Sequence, residues 1–94
     1  MPRYLVERSF PDGLVIPPGP EGRKILLSIV ACNADRRVTW VNSYVAANGR
    51  KTFCIYDAPS PESIRLTAKS NGLPVDRITE ISVLDPYAYH LSPI

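Results

Sequence analysis

The fold is decided by residues 38–58, VTWVNSYVAANGRKTFCIYDA, in which two runs of alternating apolar and polar residues flank the dipeptide Asn48-Gly49. Alternation with a period of two is typical of a β-strand that has one buried face. Asn-Gly is the strongest short hairpin signal, because both central residues of a type I′ turn require a positive φ. The stretch therefore predicts an antiparallel hairpin, with one strand over Val38–Ala47 and the next over Lys51–Ala58.

The same order of elements occurs on both sides of this hairpin. Tyr4–Ser9 alternates and is predicted to be a strand, whereas Glu21–Arg37 carries apolar residues at helical spacing. After the hairpin, Pro61–Asn71 is predicted to be a helix with Ser60 as its N-cap, and Arg77–Leu84 a final strand. Right-handed crossovers then give a four-stranded antiparallel sheet with two helices on one face, the ferredoxin-like βαββαβ fold of the α+β class.

Length and composition are those of one small domain over residues 1–94, with a Pro- and Gly-rich loop at 10–22 and a C-terminal tail at 85–94. Eleven basic and nine acidic residues are scattered along the chain and give a net charge of +2, which argues against a nucleic-acid partner or an anionic membrane. We expect a cytoplasmic protein, because the N-terminus lacks an apolar signal core and no segment approaches the ~20 apolar residues of a membrane span. We also expect a homodimer, since so short a chain buries a modest core.

Alternation also assigns side chains to the two faces of the predicted sheet. The face under the helices is predicted to hold Tyr4, Val6, Val41, Val45, Phe53, Ile55, Ile81 and Val83. The opposite, open face is then predicted to hold Leu5, Glu7, Trp40, Asn42, Tyr44, Thr52, Cys54, Tyr56, Glu80 and Ser82. Because an antiparallel sheet face with so many aromatic side chains is too apolar to remain in water, we expect it to meet a second copy of the chain or a ligand.

The predicted open face supplies the candidate ligand-binding residues, which are Trp40, Asn42, Tyr44 and Tyr56. Their aromatic rings are suited to lining a pocket for a flat organic molecule. Large aromatic residues are also the usual anchors of protein interfaces, and interface packing is the simpler interpretation of these rings.

The same face supplies the candidate metal ligands, Glu7, Cys54 and Glu80. The two glutamates are predicted to project from adjacent strands, where they form an acid pair with divergent pKa values or bind a cation. The alternative for the glutamates is pairing with Arg or Tyr groups across a dimer interface. The alternative for Cys54 is a buried, unreactive thiol.

Four segments of the chain resemble a family of small bacterial proteins catalogued as a domain of unknown function, which includes a nickel-binding ferredoxin-like protein. The segments are Tyr4–Arg8, Thr39–Val45, Lys51–Pro59 and Gly72–Ile78, and together they extend over nearly the whole chain. The resemblance implies a ferredoxin-like protomer, a homodimer related to the dimeric α+β barrels, and a divalent metal such as nickel as cofactor. It implies no established reaction.

The chain departs from this family in its histidines. Histidine is common in the family at the position of Asn42, and some members also have it at those of Thr67 and Val15, whereas the only histidine here is His90. Because nickel favours imidazole ligands, a metal site in this chain would depend on carboxylate, thiolate or amide groups.

Three classes of function follow from these observations. The mixed polar and aromatic face favours the first, a homodimeric protein that binds a metal or a small molecule there. The second is a cofactor-independent enzyme of the dimeric α+β barrel type, monooxygenase- or isomerase-like, with Glu7 and Glu80 as the candidates for its base. The third is a purely structural or regulatory dimer. The sequence assigns no catalytic residue, because it contains no phosphate-binding glycine loop, nucleophile elbow or paired metal-binding histidines.

Overall fold

The computed structural model describes residues 1–91, with the side chains of residues 1–88. That part of the chain contains the strands β1 Arg3–Ser9, β2 Thr39–Val45, β3 Lys51–Asp57 and β4 Arg77–Ile81. Its helices are α1 Pro20–Ala34, α2 Pro61–Asn71 and α3 Pro86–Leu91, the last of which lies in the segment that the sequence indicates as a tail. None of these helices is both long enough and apolar enough to cross a membrane.

The strands form one antiparallel sheet in the order β2-β3-β1-β4. The inner strands are β3 and β1, and the hairpin partner β2 lies at one edge. On the face under the helices, Ile64 of α2 shares a buried cluster with Tyr4 and Val6 of β1. The predicted α+β fold with a four-stranded antiparallel sheet is confirmed, and its topology is consistent with the ferredoxin-like arrangement.

The hairpin between β2 and β3 is confirmed, but its turn is not the predicted type I′. Gly49 has a φ of 72°, whereas Asn48 lacks the positive φ that type I′ requires. The Gly49 N–H donates to the Ala46 carbonyl at 2.7 Å, and the Ala46 N–H donates to the Lys51 carbonyl at 2.9 Å. The Arg50 N–H donates to Asn48 Oδ1 at 2.9 Å. Asn48 therefore supports the turn through its side chain, and Gly49 supports it through its left-handed backbone.

Helix α1 ends at Ala34, before its predicted end, in a capping turn that closes on the carbonyl of Asn33. The buried Asn33 accepts hydrogen bonds on its carbonyl from the N–H groups of Arg36 and Val38, at 3.1 and 3.0 Å. Arg37 adopts a left-handed φ of 59°, which turns the chain toward β2. The side chain of Asn33 also accepts from Asn71 Nδ2 at 3.2 Å, so the ends of α1 and α2 are joined.

The Pro-rich segment before α1 is held against the helix and the hairpin. A Cβ on Gly22 would lie 1.8 Å from the carbonyl oxygen of Pro17, so close backbone contact excludes a side chain there. The Leu14 N–H donates to the Gly49 carbonyl at 2.7 Å. These contacts place the segment over the hairpin end of the sheet, where it forms one wall of the site described below.

Strand register changes the face assignment of β3. Directly opposed residues of antiparallel strands share a face, and here Tyr4 opposes Tyr56 while Val6 opposes Cys54. Cys54 and Tyr56 are therefore buried under the helices, and their predicted position on the open face is wrong. Thr52 is displaced to the helix side for the same reason, since it opposes the buried Arg8.

The remaining residues of these strands form the open face. Leu5 opposes Ile55, and Glu7 opposes Phe53, so the predicted helix-side positions of Ile55 and Phe53 are wrong. Ile81 opposes Arg3 and is likewise on the open face rather than under the helices. Alternation alone assigns the more apolar side chains of β3, Phe53 and Ile55, to the core. The pairing with β1 instead places Thr52, Cys54 and Tyr56 there.

A bulge at Val41 changes the face assignment along β2. Trp40 opposes Tyr56 and Asn42 opposes Ile55, so Val41 is an extra residue between two successive pairs. Trp40 therefore lies on the helix side, where it packs against the core, and its predicted open-face position is wrong. Asn42 and Tyr44 are on the open face as predicted.

The predicted acid pair of Glu7 and Glu80 is also wrong. Glu80 opposes Tyr4, which belongs to the helix-side row of β1, whereas Glu7 opposes Arg77 on the open face. The two carboxylates therefore project from opposite faces of the sheet. Strand β4 ends at Ile81, so residues 82 and 83 lie beyond the sheet.

We expect Gly49→Val to destabilise the protein by about 1 kcal/mol or more, because a β-branched residue resists a φ of 72°. Urea denaturation would measure the free energy of unfolding. Ala47→Val is the matched control, since it adds the same side chain to the same loop at a position without a positive φ. An unchanged urea midpoint in Gly49→Val, or an equal loss in both variants, would contradict the importance of the left-handed conformation.

Candidate functional site

The helix side of the sheet lines a partly open cavity of about 110 Å³ between α1, β2, β3 and the Pro-rich segment, which we call the α1 cavity. Its lining residues are Arg8, Phe10, Leu14, Ile16, Leu26, Ile29, Trp40, Ser43, Val45, Thr52, Cys54, Tyr56 and Leu73. Trp40, Cys54 and Tyr56 are candidates from the sequence, and here they line the same partly open cavity. Asn42 and Tyr44 lie on the other face, so the predicted four-residue ligand site is divided between the two sides of the sheet.

A buried positive charge, Arg8, lies in the wall of the α1 cavity. Arg8 is 3% exposed, and its Nη1 donates to the Pro74 carbonyl at 2.6 Å while its Nη2 donates to the Tyr56 hydroxyl at 3.3 Å. Its Cζ lies 5.8 Å from the centre of the Tyr56 ring. Its Nε is buried and has no hydrogen-bond partner among the described residues. Within the same part of the chain, the ion pairs involve other residues, and no carboxylate pairs with Arg8.

Burying such a charge is unfavourable unless other groups offset it. A guanidinium keeps its proton in proteins, and an unpaired buried ion costs on the order of several kcal/mol. The Pro74 carbonyl, the Tyr56 hydroxyl and the Tyr56 ring offset part of this cost. Arg8 is therefore the group in the cavity whose bonding is least complete.

Sequence reasoning missed Arg8, although a signal for it is present. Tyr4 and Val6 are correctly predicted to face the helices, and the same alternation continued by one position places Arg8 on that face as well. A charged residue in the buried row of a strand is the observation that points to the site.

The hydroxyl of Tyr56 stays protonated beside Arg8. Burial raises the pKa of Tyr56 above its ordinary value, and the positive charge of Arg8 lowers it by less. The hydroxyl oxygen accepts the hydrogen bond from Arg8, which leaves its own O–H to donate. Arg8 and Tyr56 thus form a buried polar pair behind the wall of the cavity, whose accessible surface is almost wholly apolar.

The other polar groups around the cavity have partners within the protomer. Trp40 Nε1 donates to Ser43 Oγ at 2.8 Å, and Cys54 Sγ donates to Thr52 Oγ1 at 3.6 Å. Cys54 is buried as a free thiol, as the alternative interpretation of this residue expects.

The open face has an apolar centre and charged ends. The apolar residues are Leu5, Tyr44, Phe53, Ile55 and Ile81. At one end, Arg3 donates two hydrogen bonds to Asp57, at 2.7 and 3.0 Å. At the other end, Lys51 Nζ lies 3.7 Å from Glu7 Oε1. These four charges are therefore paired within the protomer.

Glu7, Cys54 and Glu80 do not come together as a metal site. Glu7 is on the open face, Cys54 is buried under the helices, and Glu80 is exposed in the helix-side row of β4. Among the described residues, no group of three or more His, Cys, Asp or Glu side chains is arranged to hold a metal ion. The side chain of His90 lies outside the described part of the chain. Of the two candidate bases, only Glu7 is on the open face.

Comparisons with known proteins support the resemblance found in the sequence. The family model described as "Nickel responsive protein SCO4226-like" matches residues 4–81. The crystal structure of SCO4226 from Streptomyces coelicolor A3(2) is similar with a TM-score of 0.70 and 14% sequence identity, over 88% of this chain and 99% of that chain. At this identity, the structural similarity shows a shared fold alone. No curated protein sequence matches the chain.

The Arg3–Asp57 pair on the open face makes stability depend on pH. The hydrogen bond from Arg3 holds the pKa of Asp57 below its ordinary value. A carboxyl group with a lower pKa in the folded chain contributes stability above its unfolded pKa and loses it as the pH falls through its folded pKa. We therefore expect wild type to be more stable than Asp57→Asn at neutral pH, and the difference to disappear as the pH falls below about 4.

Urea denaturation between neutral pH and pH ~2.5 would measure this difference. As a control, Asp57→Asn would also be made in a protein that already carries Arg3→Gln. Without its arginine partner, loss of the Asp57 carboxylate should change the free energy of unfolding by less. An advantage of wild type that stays constant over the whole pH range would contradict the assignment.

Proposed function

Because the chain belongs to the SCO4226-like family of nickel responsive proteins, we propose that it is a homodimeric binding protein whose two copies meet through their open faces as a dimeric α+β barrel. The observation that carries this proposal is an apolar sheet centre on the side opposite α1 and α2. Tyr44 is 60% exposed there, which is unfavourable for a large aromatic side chain that remains in water.

The charges on the open face favour a second copy of the chain as the partner. Arg3 pairs with Asp57, Lys51 pairs with Glu7, and Arg77 lies on the edge strand β4, so the apolar centres of two such faces can approach without burying an unpaired charge. A twofold axis allows one self-complementary patch to serve both copies. Burial of the apolar centre would also enlarge the modest core of a 94-residue chain.

Nickel, or another divalent cation, is the ligand that the family description supports. We propose that it binds at the open face with Glu7 as a carboxylate ligand and Asn42 as an amide ligand. In a twofold dimer each of these groups occurs twice, so the assembly offers more oxygen ligands than one protomer does. Binding should be weak, because oxygen ligands without imidazole hold nickel less tightly than histidine-rich sites do.

We expect Tyr44→Glu to convert the dimer into a monomer, because a carboxylate in the apolar centre would have to be buried without a partner. Light scattering at micromolar protein concentration would measure the molar mass. Leu66→Glu is the matched control, since Leu66 is an exposed apolar residue of α2 away from this face and its variant should remain dimeric. Wild type that is monomeric, or a folded Tyr44→Glu protein that remains dimeric, would refute the proposed interface.

The metal assignment is tested by calorimetric titration of nickel into protein without a histidine tag. Glu7→Gln should weaken nickel binding severalfold, because it removes a charged ligand on the open face. Glu80→Gln is the matched control and should bind nickel as wild type does, since Glu80 projects from the other face. Equal binding by wild type and Glu7→Gln would exclude Glu7 as a ligand, whatever the oligomeric state.

A further inference from the structure

We propose that the α1 cavity is a binding site for the alkyl chain of an uncharged small molecule. The site lies on the opposite side of the sheet from the open face, and it requires neither nickel nor a second copy of the chain. Three features of the cavity carry the inference: a wall that offers no free polar group, a helix that is held away from the sheet, and an open mouth.

The first feature is the apolar wall. The accessible surface of the cavity is almost wholly apolar, and its aliphatic side chains are Leu14, Ile16, Leu26, Ile29, Val45 and Leu73. The polar groups behind this surface bond to one another, since Trp40 Nε1 donates to Ser43 Oγ and the Arg8 guanidinium donates to the Tyr56 hydroxyl. A charged ligand group would therefore lose water here without gaining a partner, whereas a hydrocarbon chain would gain contacts.

The second feature is the way in which α1 is held. Its buried residues lie near its two ends, where Gly22 is in close backbone contact with Pro17 and Asn33 is hydrogen-bonded to α2. Between these contacts, Leu26 and Ile29 line the cavity and are only half-buried. The end contacts thus keep the middle of α1 from closing onto the sheet. An apolar ligand in the remaining space would complete the burial of both side chains.

The third feature is the open mouth. The cavity has a volume of about 110 Å³ and is only partly enclosed, so the volume sets how much of a ligand lies inside and not how long the ligand is. An alkyl chain suits this shape, because it enters end-on while its polar head group stays in water at the mouth. The space inside is smaller than the ~150 Å³ of an apolar cavity that binds benzene, so a chain fits better than a ring.

The probe for this site is n-hexanol, and the reporter is Trp40, which is the only tryptophan of the chain and lines the cavity. We expect a saturable change of Trp40 fluorescence at millimolar n-hexanol. Binding should become about fourfold tighter for each methylene added between n-butanol and n-hexanol. Sodium hexanoate should bind no more tightly than n-hexanol, because the accessible wall offers no charged group to its carboxylate.

The matched ligand control is the hexanediol that carries a hydroxyl at each end of the same chain. Its second hydroxyl would enter the apolar wall without a partner, so it should bind about tenfold or more weakly than n-hexanol. This comparison uses wild type alone and decides the proposal even if a cavity variant fails to fold. Equal binding of the two alcohols, tighter binding of hexanoate, or no saturable change with n-hexanol would overturn the proposal.

Two neighbouring substitutions on α1 test where the chain binds. Leu26→Phe places a larger side chain in the cavity and should weaken n-hexanol binding severalfold. Leu27→Phe is the matched control and should bind n-hexanol as wild type does, because Leu27 is exposed and lies outside the cavity lining. Binding that is unchanged in folded Leu26→Phe, or that is weakened equally in both variants, would overturn the assignment to this cavity.

Discussion

The structure depends on the opposition of Tyr4 and Tyr56 in the two inner strands of the sheet. Because side chains alternate with a period of two, a shift of this register by one residue would exchange the faces of a whole strand. The observed register places both rings in the cluster that contains Ile64 of α2. The same register brings Arg8 under the helices and Glu7 onto the open face, so the chemistry of both surfaces follows from it.

The buried guanidinium of Arg8 does not contribute favourably to stability in the way that an apolar residue would. Replacement of buried ionic groups by apolar residues is often neutral or stabilising. What Arg8 does provide is a link from β1 to the Pro74 carbonyl and the Tyr56 hydroxyl. The Pro-rich segment, held against α1 where Gly22 meets Pro17, forms one wall of the α1 cavity.

Charged residues have different kinds of partner on the two sides of the sheet. On the open face, Arg3 and Lys51 have carboxylate partners in the same protomer, which suits a surface that meets another protein surface. Under the helices, Arg8 is buried with only uncharged partners among the described residues. Adjacent residues of β1 serve the two surfaces, since Glu7 and Arg8 point to opposite sides.

Local patterns were sufficient to predict the strands, both main helices, the hairpin and the family, because periodicity, turn residues and caps act over a few residues. The Ser60 cap is an example, since its hydroxyl accepts from the Ser63 N–H at 3.3 Å. Local patterns could not assign the faces of β3 or of β2 around Val41. Alternation is equally satisfied with either set of side chains inward, and the choice is made by the register of a strand distant in sequence. The bulge at Val41 then reverses the assignment of side chains to faces within β2. For this reason Glu7, which is expected from the sequence to share a face with Cys54 and Glu80, lies on the opposite side of the sheet from both.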